Sequence, residues 1–287
     1  MGPAHVLKGP GGGLGFGVIG GDRRQAELGR LLAGDGHFVR TYGLERWKPV
    51  GAGTLDRAAA SDVVILPLPL CRGDGVLNCE EGAVPTADLF RRLQPGQRIL
   101  AGQVRPQQRR EAEALGLTVE DYFLREELAV ANAAATAEGA VQTAMERLDR
   151  TLLGLDCLVL GFGRIGKLLS CRLHGLGARV TATARRPEDL AWIRAYGYRA
   201  LETGKLDGCL GAFGAVFNTV PFPVLGGPLL AQLPPDCLLM DLASVRGIEA
   251  AEDGPEVLWA RSLPGRLSPR SAAAAVRDAV YYILLEE

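Results

Sequence analysis

The sequence predicts an α/β protein of two lobes, each a parallel sheet with flanking helices. Three observations carry this reading. From Gly15 short apolar runs alternate with segments of helical pattern, the rhythm of parallel strands joined by crossover helices. The same rhythm restarts at Cys157. Between the two halves, TAEGAVQTAMERL places Ala137, Ala140, Val141, Ala144, Met145 and Leu148 at helical intervals, which predicts a helix joining the lobes.

Taken in order, the strand candidates of the first half are GFGVIGG, HFVRTYG, SDVVILPLPL, RILAGQV and LTVEDYF, and those of the second are CLVLGFG, RVTATAR, AVFNTVP, CLLMDLAS and a weaker EVLWARS. The last segment, SPRSAAAAVRDAVYYILLEE, opens with a candidate Ser cap and a proline suited to a first helical turn. We expect it to return to the first lobe. The expected domains are therefore residues 1–130 with 268–287, and residues 131–267, with a cleft between lobes where a cofactor and a small substrate meet.

Composition narrows the function classes. The chain has 287 residues, 47% of them hydrophobic and 23% charged, enough for two domains of ordinary size. A net charge of −1 and dispersed arginines give no footprint for nucleic acid. No apolar run reaches roughly 18 residues, and MGPAHVLKGPGGGLGFG reads as a flexible lead-in without the features of a signal peptide. The six cysteines show no CxxC spacing, and Cys157 and Cys237 border apolar runs. Reduced core thiols, a cytoplasmic location and no metal site are expected.

The most informative stretch is CLVLGFGRIG. It sets Gly161, Gly163 and Gly166 directly after an apolar strand and before a helix whose Ile165, Leu168, Leu169, Leu173 and Leu176 share one face. This is the fingerprint of a Rossmann-like dinucleotide site: one glycine for the turn, one for close approach of backbone to pyrophosphate, one for helix–strand packing. Where an acidic residue would bind the adenosine ribose of NAD, the chain offers Ala184, Arg185 and Arg186. Two guanidinium groups suit a 2′-phosphate, so NADP is the expected cofactor. The ends of later strands add candidates for the nicotinamide half, so the cofactor set reads Gly161, Gly163, Arg164, Ile165, Gly166, Ala184, Arg185, Arg186, Asn218, Thr219, Val220, Pro221, Asp241 and Ser244. Ordinary turn chemistry selects Asn, Pro, Asp and Ser in such loops as well.

The chemistry is less legible. Alcohol oxidation commonly needs a histidine base, yet His174 lies opposite the leucine face of its helix, His37 opens a strand and His5 is in the lead-in. In the first lobe, VIGGDRRQAEL is a strand, glycine turn and helix start. Its Arg24 suits a carboxylate, while Asp22 also reads as a helix cap. Thr136 and Glu138 flank the apolar stripe near the start of the joining helix, as cap and first-turn acid or as groups that handle substrate and proton.

Together VIGGDRRQ, VVILPLPL, DYFLREELAVANAAATAEGAVQTAME, VLGFGRIGKLL, FNTVP, DLAS and SLPGRLSPRSA resemble the dipicolinate synthase A-subunit family of spore-forming bacteria, in order and along nearly the whole chain. Three places depart from that pattern: Ala135 replaces a proline, LPGRLSPRSAAAA replaces LPG with APKTAG, and DLASVRGIEA lacks a glycine-rich continuation. The resemblance implies oxidation of a dihydrodipicolinate, formed by loss of water from 4-hydroxy-tetrahydrodipicolinate, to pyridine-2,6-dicarboxylate with NADP. It also implies the flavoprotein-like B-subunit of dipicolinate synthase as partner, with Arg24, Thr136 and Glu138 as the groups nearest the dicarboxylate and Glu138 as proton acceptor. Homo-oligomerisation is left open. Two other readings stand beside it: an NADP-dependent two-lobe dehydrogenase or reductase of the 2-hydroxyacid type, and a regulatory protein that binds NADP without catalysis.

Overall fold

The structure is a computed structural model that describes residues 13–73, 75–249 and 256–286. The expected lead-in over residues 1–12, with His5, lies outside the described residues. The chain divides into two compact units, Met1–Asn132 with Gly265–Glu287, and Ala133–Pro264.

The first unit starts with β1 (Gly15–Ile19), α1 (Arg23–Gly34), β2 (Phe38–Tyr42), α2 (Leu55–Ala59) and β3 (Val63–Ile65). A short hairpin, β4 (Cys71–Arg72) and β5 (Val76–Leu77), precedes α3 (Thr86–Phe90), β6 (Arg98–Ala101), α4 (Pro106–Glu113) and β7 (Val119–Asp121). Its sheet is parallel in the order β2-β1-β3-β6-β7. The central strands β1, β3 and β6 are buried on both faces because both are covered, while the edge strands β2 and β7 are partly exposed. Val63 and Ile65 pack with Phe16, Val18, Leu28 and Tyr122 on one side, while Val64 packs with Ile19, Leu89 and Phe90 on the other. In SDVVILPLPL the regular strand ends at Ile65; beyond it Leu66 N still donates to the Leu100 carbonyl and the Pro67 carbonyl accepts from Gly102 N, but Pro67 and Pro69 have no N–H to donate.

The helix α5 (Glu126–Arg147) is 22 residues long and starts ten residues before the TAEG segment. Thr136 and Glu138 therefore lie in mid-helix, which corrects their reading as cap and first-turn acid. DYFLREEL supplies the real start: Glu126 and Glu127 sit in the first turn, where negative charge is favourable. Met145, assigned to the apolar stripe, is 60% exposed.

The second unit continues with β8 (Asp156–Leu160), α6 (Arg164–Gly175), β9 (Arg179–Ala184), α7 (Pro187–Ala195), β10 (Arg199–Glu202), β11 (Ala215–Asn218), α8 (Gly227–Leu230), β12 (Leu238–Asp241) and β13 (Val257–Trp259). All six strands are parallel, in the order β10-β9-β8-β11-β12-β13. Strand order reverses between β8 and β11, the crevice at which open α/β sheets bind ligands. The edge strand β10 carries no strand pattern in the sequence, because RALE is short and polar at its ends.

After α9 (Leu263–Leu267), α10 (Pro269–Leu285) packs on α1 within the first unit. Its Val276, Ala279, Val280 and Tyr281 join the cluster of Phe16 and Leu28. The Tyr281 hydroxyl donates to Asp35 Oδ2 at 2.9 Å, and burial pushes its pKa well up. Pro269 occupies the first turn as expected, but the Ser268 side chain makes no capping bond. No described helix is long and apolar enough to cross a membrane.

Leu28, on α1 and 1% exposed, belongs to the cluster that α10 completes. Leu28→Ala is expected to lower the unfolding free energy of the first unit by about 2–5 kcal/mol, read as a shift of its denaturant midpoint. An unmoved midpoint would show that this cluster is not the unit's core.

Candidate functional site

The turn between β8 and α6 needs glycine at Gly161 for its bend and at Gly166 for helix–strand packing, as the spacing predicts. Gly161 takes φ +92°, a conformation that side chains rarely adopt, and a Cβ there would lie 2.8 Å from both Thr219 Oγ1 and Val220 Cγ2. A Cβ on Gly166 would lie 2.2 Å from the Gly161 carbonyl oxygen, so the helix seats on the strand only with glycine. A Cβ on Gly163 would meet no protein atom within 4 Å. That position is open to a ligand. The helix behind it has no side-chain cap and no acid in its first turn, so its N–H groups and the positive end of its dipole suit a pyrophosphate. Arg164 is exposed and Ile165 half-buried in that first turn. Of the predicted leucine face, Leu169 and Leu173 are buried, while Leu176 lies beyond the helix and is 44% exposed.

On the other side of β8, Ala184 ends β9 and is buried, and Arg185 and Arg186 are exposed. Arg186 Nε donates to Asp189 Oδ2 at 2.8 Å, and that bond raises the arginine's pKa and lowers the aspartate's. Arg185 forms no ion pair among the described residues. An acid does stand nearby: Glu202, at the end of β10, is the register partner of Ala184 and is paired to Lys205 Nζ at 2.9 Å. Sequence spacing alone cannot place it there, since β10 has no pattern of its own.

Asn218 and Asp241 are completely buried, and their polar atoms meet the chain itself. Asn218 Nδ2 donates to Asp241 Oδ1 at 2.9 Å and to the Val220 carbonyl at 3.0 Å, and its Oδ1 accepts from Val220 N. Asp241 also accepts from the backbone N–H groups of Ala243, Gly247 and Ile248 at 2.8–3.1 Å. Their side-chain bonds are spent on the chain itself, where they hold the loops that do face outward. Thr219 and Val220 are half-buried against Gly161, and Pro221 and Ser244 are exposed. Gly247 completes the arrangement, because a Cβ there would lie 2.4 Å from Asn218 Nδ2 and 2.6 Å from the carbonyls of Val220 and Phe222. The sequence carries no signal for this lock, only the buried-strand endings.

In the first unit, Asp22 caps α1 by accepting from Arg24 N at 2.9 Å. Arg24 is 7% exposed, its Nε and Nη2 held by Asp22, with Nη2 also donating to the Leu68 carbonyl at 2.8 Å. It is a buried, charge-compensated donor rather than a free surface cation. Gly265 packs over the pair, since a Cβ there would lie 2.7 Å from Asp22 Oδ2. Thr136 is buried in mid-helix. Glu138 is exposed, and its Oε1 accepts from Arg172 Nη2 at 2.8 Å, a surface tie between α5 and α6. Burial pushes the Cys157 and Cys237 thiols up to about 12 and Cys71 up to about 11, which disfavours their thiolate forms. Among the described residues no group of His, Cys, Asp or Glu is placed to hold a metal ion.

Known proteins share the fold. Residues 15–123 match the family model described as the N-terminal domain of the dipicolinate synthase A-subunit. The chain resembles the dipicolinate synthase A-subunit of Bacillus subtilis (strain 168), with 28% identity over 96% of this chain and 97% of that protein. The crystal structure of the dipicolinate synthase A-subunit from Bacillus halodurans has the same fold, with a TM-score of 0.84, 24% identity, and coverage of 96% of this chain and 99% of that one. The transhydrogenase from Sinorhizobium meliloti shares the fold at a TM-score of 0.70 and 19% identity, over 90% and 87% of the two chains.

The glycine geometry separates binding from folding. Gly163→Val is expected to weaken dinucleotide binding by more than about tenfold, since backbone approach is lost, while leaving the melting temperature unchanged. Gly166→Val is expected to destabilise the unit by about 1–3 kcal/mol through overpacking. Calorimetric titration and thermal melts check both; a stable, fully binding Gly163→Val would remove the pyrophosphate from this turn. Asp241→Ala leaves three buried backbone N–H groups and one of the two Asn218 amide hydrogens without a partner, at about 1–3 kcal/mol for each unsatisfied group. A melting temperature equal to wild type would show that the lock does not hold these loops.

Proposed function

We propose that this chain is the dehydrogenase-type subunit of a dipicolinate synthase, oxidising dihydrodipicolinate to pyridine-2,6-dicarboxylate with NADP as oxidant. The observation that carries the reading is the open position at Gly163 on an uncapped helix start, set in a chain that resembles the dipicolinate synthase A-subunit along its length. The dihydro-ring gives up a hydride and a proton, so the products are the aromatic dicarboxylate, NADPH and H⁺. Bound NADP supplies the hydride acceptor.

The chain's own residues then have restricted tasks. Backbone N–H groups from Gly163 onward hold the pyrophosphate. Arg185, which has no ion pair among the described residues, takes the 2′-phosphate, with Arg186 already committed in part to Asp189. The Asn218–Asp241 lock sets Thr219, Val220 and Ser244 at the nicotinamide end. Arg24 donates to a substrate carboxylate, its orientation fixed by Asp22 and the Leu68 carbonyl. Aromatisation is favourable in itself, so positioning does most of the work. We assign the ring proton to solvent rather than to Glu138, because Glu138 Oε1 is held by Arg172 on the surface. Thr136 is given a packing role in mid-helix.

The protein is proposed to act with a second, flavoprotein-like B-subunit in the cytoplasm, a location in keeping with its free thiols. Reduction of NADP in the presence of 4-hydroxy-tetrahydrodipicolinate, with both subunits, tests the activity. Turnover of 2-hydroxy acids instead would favour the hydroxyacid-type reading, and NADP binding with no turnover would favour a regulatory role. Cofactor choice has its own test. Arg185→Ala is expected to weaken NADP about tenfold, the loss of one charge-assisted bond, and to leave NAD unchanged. Glu202→Gln is expected to leave NADP unchanged, because Glu202 already has Lys205. Equal NAD and NADP affinity in the wild type would contradict the assignment.

A further inference from the structure

Two arginines that the proposed mechanism does not use converge on one indole. Arg246 Cζ lies 4.7 Å and Arg261 Cζ 4.6 Å from the centroid of the Trp259 ring, so the two guanidinium carbons are within about twice that distance of each other. Both arginines are exposed, and neither has an acidic partner among the described residues. The indole is fixed, since Nε1 donates to the Ala243 carbonyl at 3.1 Å. Stacking on its face offsets part of the repulsion between the two cations, and it orients both before any ligand arrives.

Their place in the fold gives the pair a meaning. Register aligns Leu160 with Asn218, Asn218 with Asp241 and Asp241 with Trp259. These four residues form one row across the C-terminal edge of the sheet, and the glycine turn leaves from its first member. Contacts run along the same edge: Gly161 faces Thr219 and Val220, and Gly247, next to Arg246, faces Val220 and Phe222. At about 4.8 Å per strand, Trp259 stands roughly 14 Å along the row from Leu160. The adenosine end of the cofactor belongs on the opposite side of β8, where β9 brings Arg185. The cofactor's phosphates are thus accounted for elsewhere, and the anion this pair suits is on the substrate.

We infer that Arg246 and Arg261, held by Trp259, form a carboxylate-binding edge of the second unit that receives one carboxylate of a small dicarboxylic substrate. The inference rests on the substrate class proposed above and adds residues to it. A planar carboxylate matches the guanidinium donors, and a diacid held here keeps a second carboxylate for a further contact that a monoacid lacks.

The test uses the full-length protein with NADP present and follows calorimetric binding of pyridine-2,6-dicarboxylate, with pyridine-2-carboxylate as the monoacid. The wild type is expected to prefer the diacid. Arg246→Ala and Arg261→Ala are each expected to weaken the diacid about tenfold and to erase part of that preference, with NADP affinity unchanged. Arg261→Lys, which keeps charge but loses the planar fork, is expected to fall between. Unaltered diacid affinity in both alanine variants would overturn this inference and leave the proposed function standing. A parallel loss of NADP affinity would overturn it too, by placing the arginines on the cofactor. A wild type that binds NADP but no diacid would remove both the inference and the proposed substrate.

Discussion

The second unit depends on one close approach, the seating of α6 on the turn that follows β8. Gly166 can sit against the Gly161 carbonyl because it has no side chain, and Gly161 can turn because it tolerates a positive φ. With any other residue the helix would move away from the strand. Its first-turn N–H groups would then no longer face the crevice where the strand order reverses. A Cβ at Gly163 would meet no protein atom within 4 Å, so the turn stays open at the position where such a fingerprint brings backbone close to an anion.

A second lock holds the far side of that crevice. Asp241 is a buried carboxylate whose partners are the Asn218 amide and three backbone N–H groups, an arrangement that satisfies its charge without a cation. It ties the loops after β11 and β12 into one body. The row from Leu160 to Trp259 then extends the edge from glycine turn to arginine pair. In the first unit, Asp22 and Arg24 do comparable work: a capping acid and a buried guanidinium fix a loop that Gly265 covers.

Much of this is legible from residue pattern, for identifiable reasons. Apolar runs mark ten of the strands, and the glycine fingerprint is marked by spacing together with its strand and helix. The features that escape such a reading lack a local signal. RALE does not announce an edge strand, and the hairpin of β4 and β5 is two residues long on each side. Pattern alone starts the joining helix too late because its first turns, EELAVANAAA, are apolar without a strict stripe. Asn218 and Asp241 look like ligand groups in sequence, and only the register of β11 and β12 shows that they face each other. Arg246 and Arg261 lie on either side of Trp259 in the chain at unequal distances, a relation no periodicity exposes.

Every role assigned to the second unit requires a dinucleotide lying across the C-terminal edge of its sheet. A crystal structure of the protein soaked with NADP tests that most directly. It should place pyrophosphate oxygens about 3 Å from the backbone N–H groups at the start of α6, with the 2′-phosphate beside Arg185. Cofactor bound elsewhere, or a turn closed to it by neighbouring side chains, would contradict these assignments.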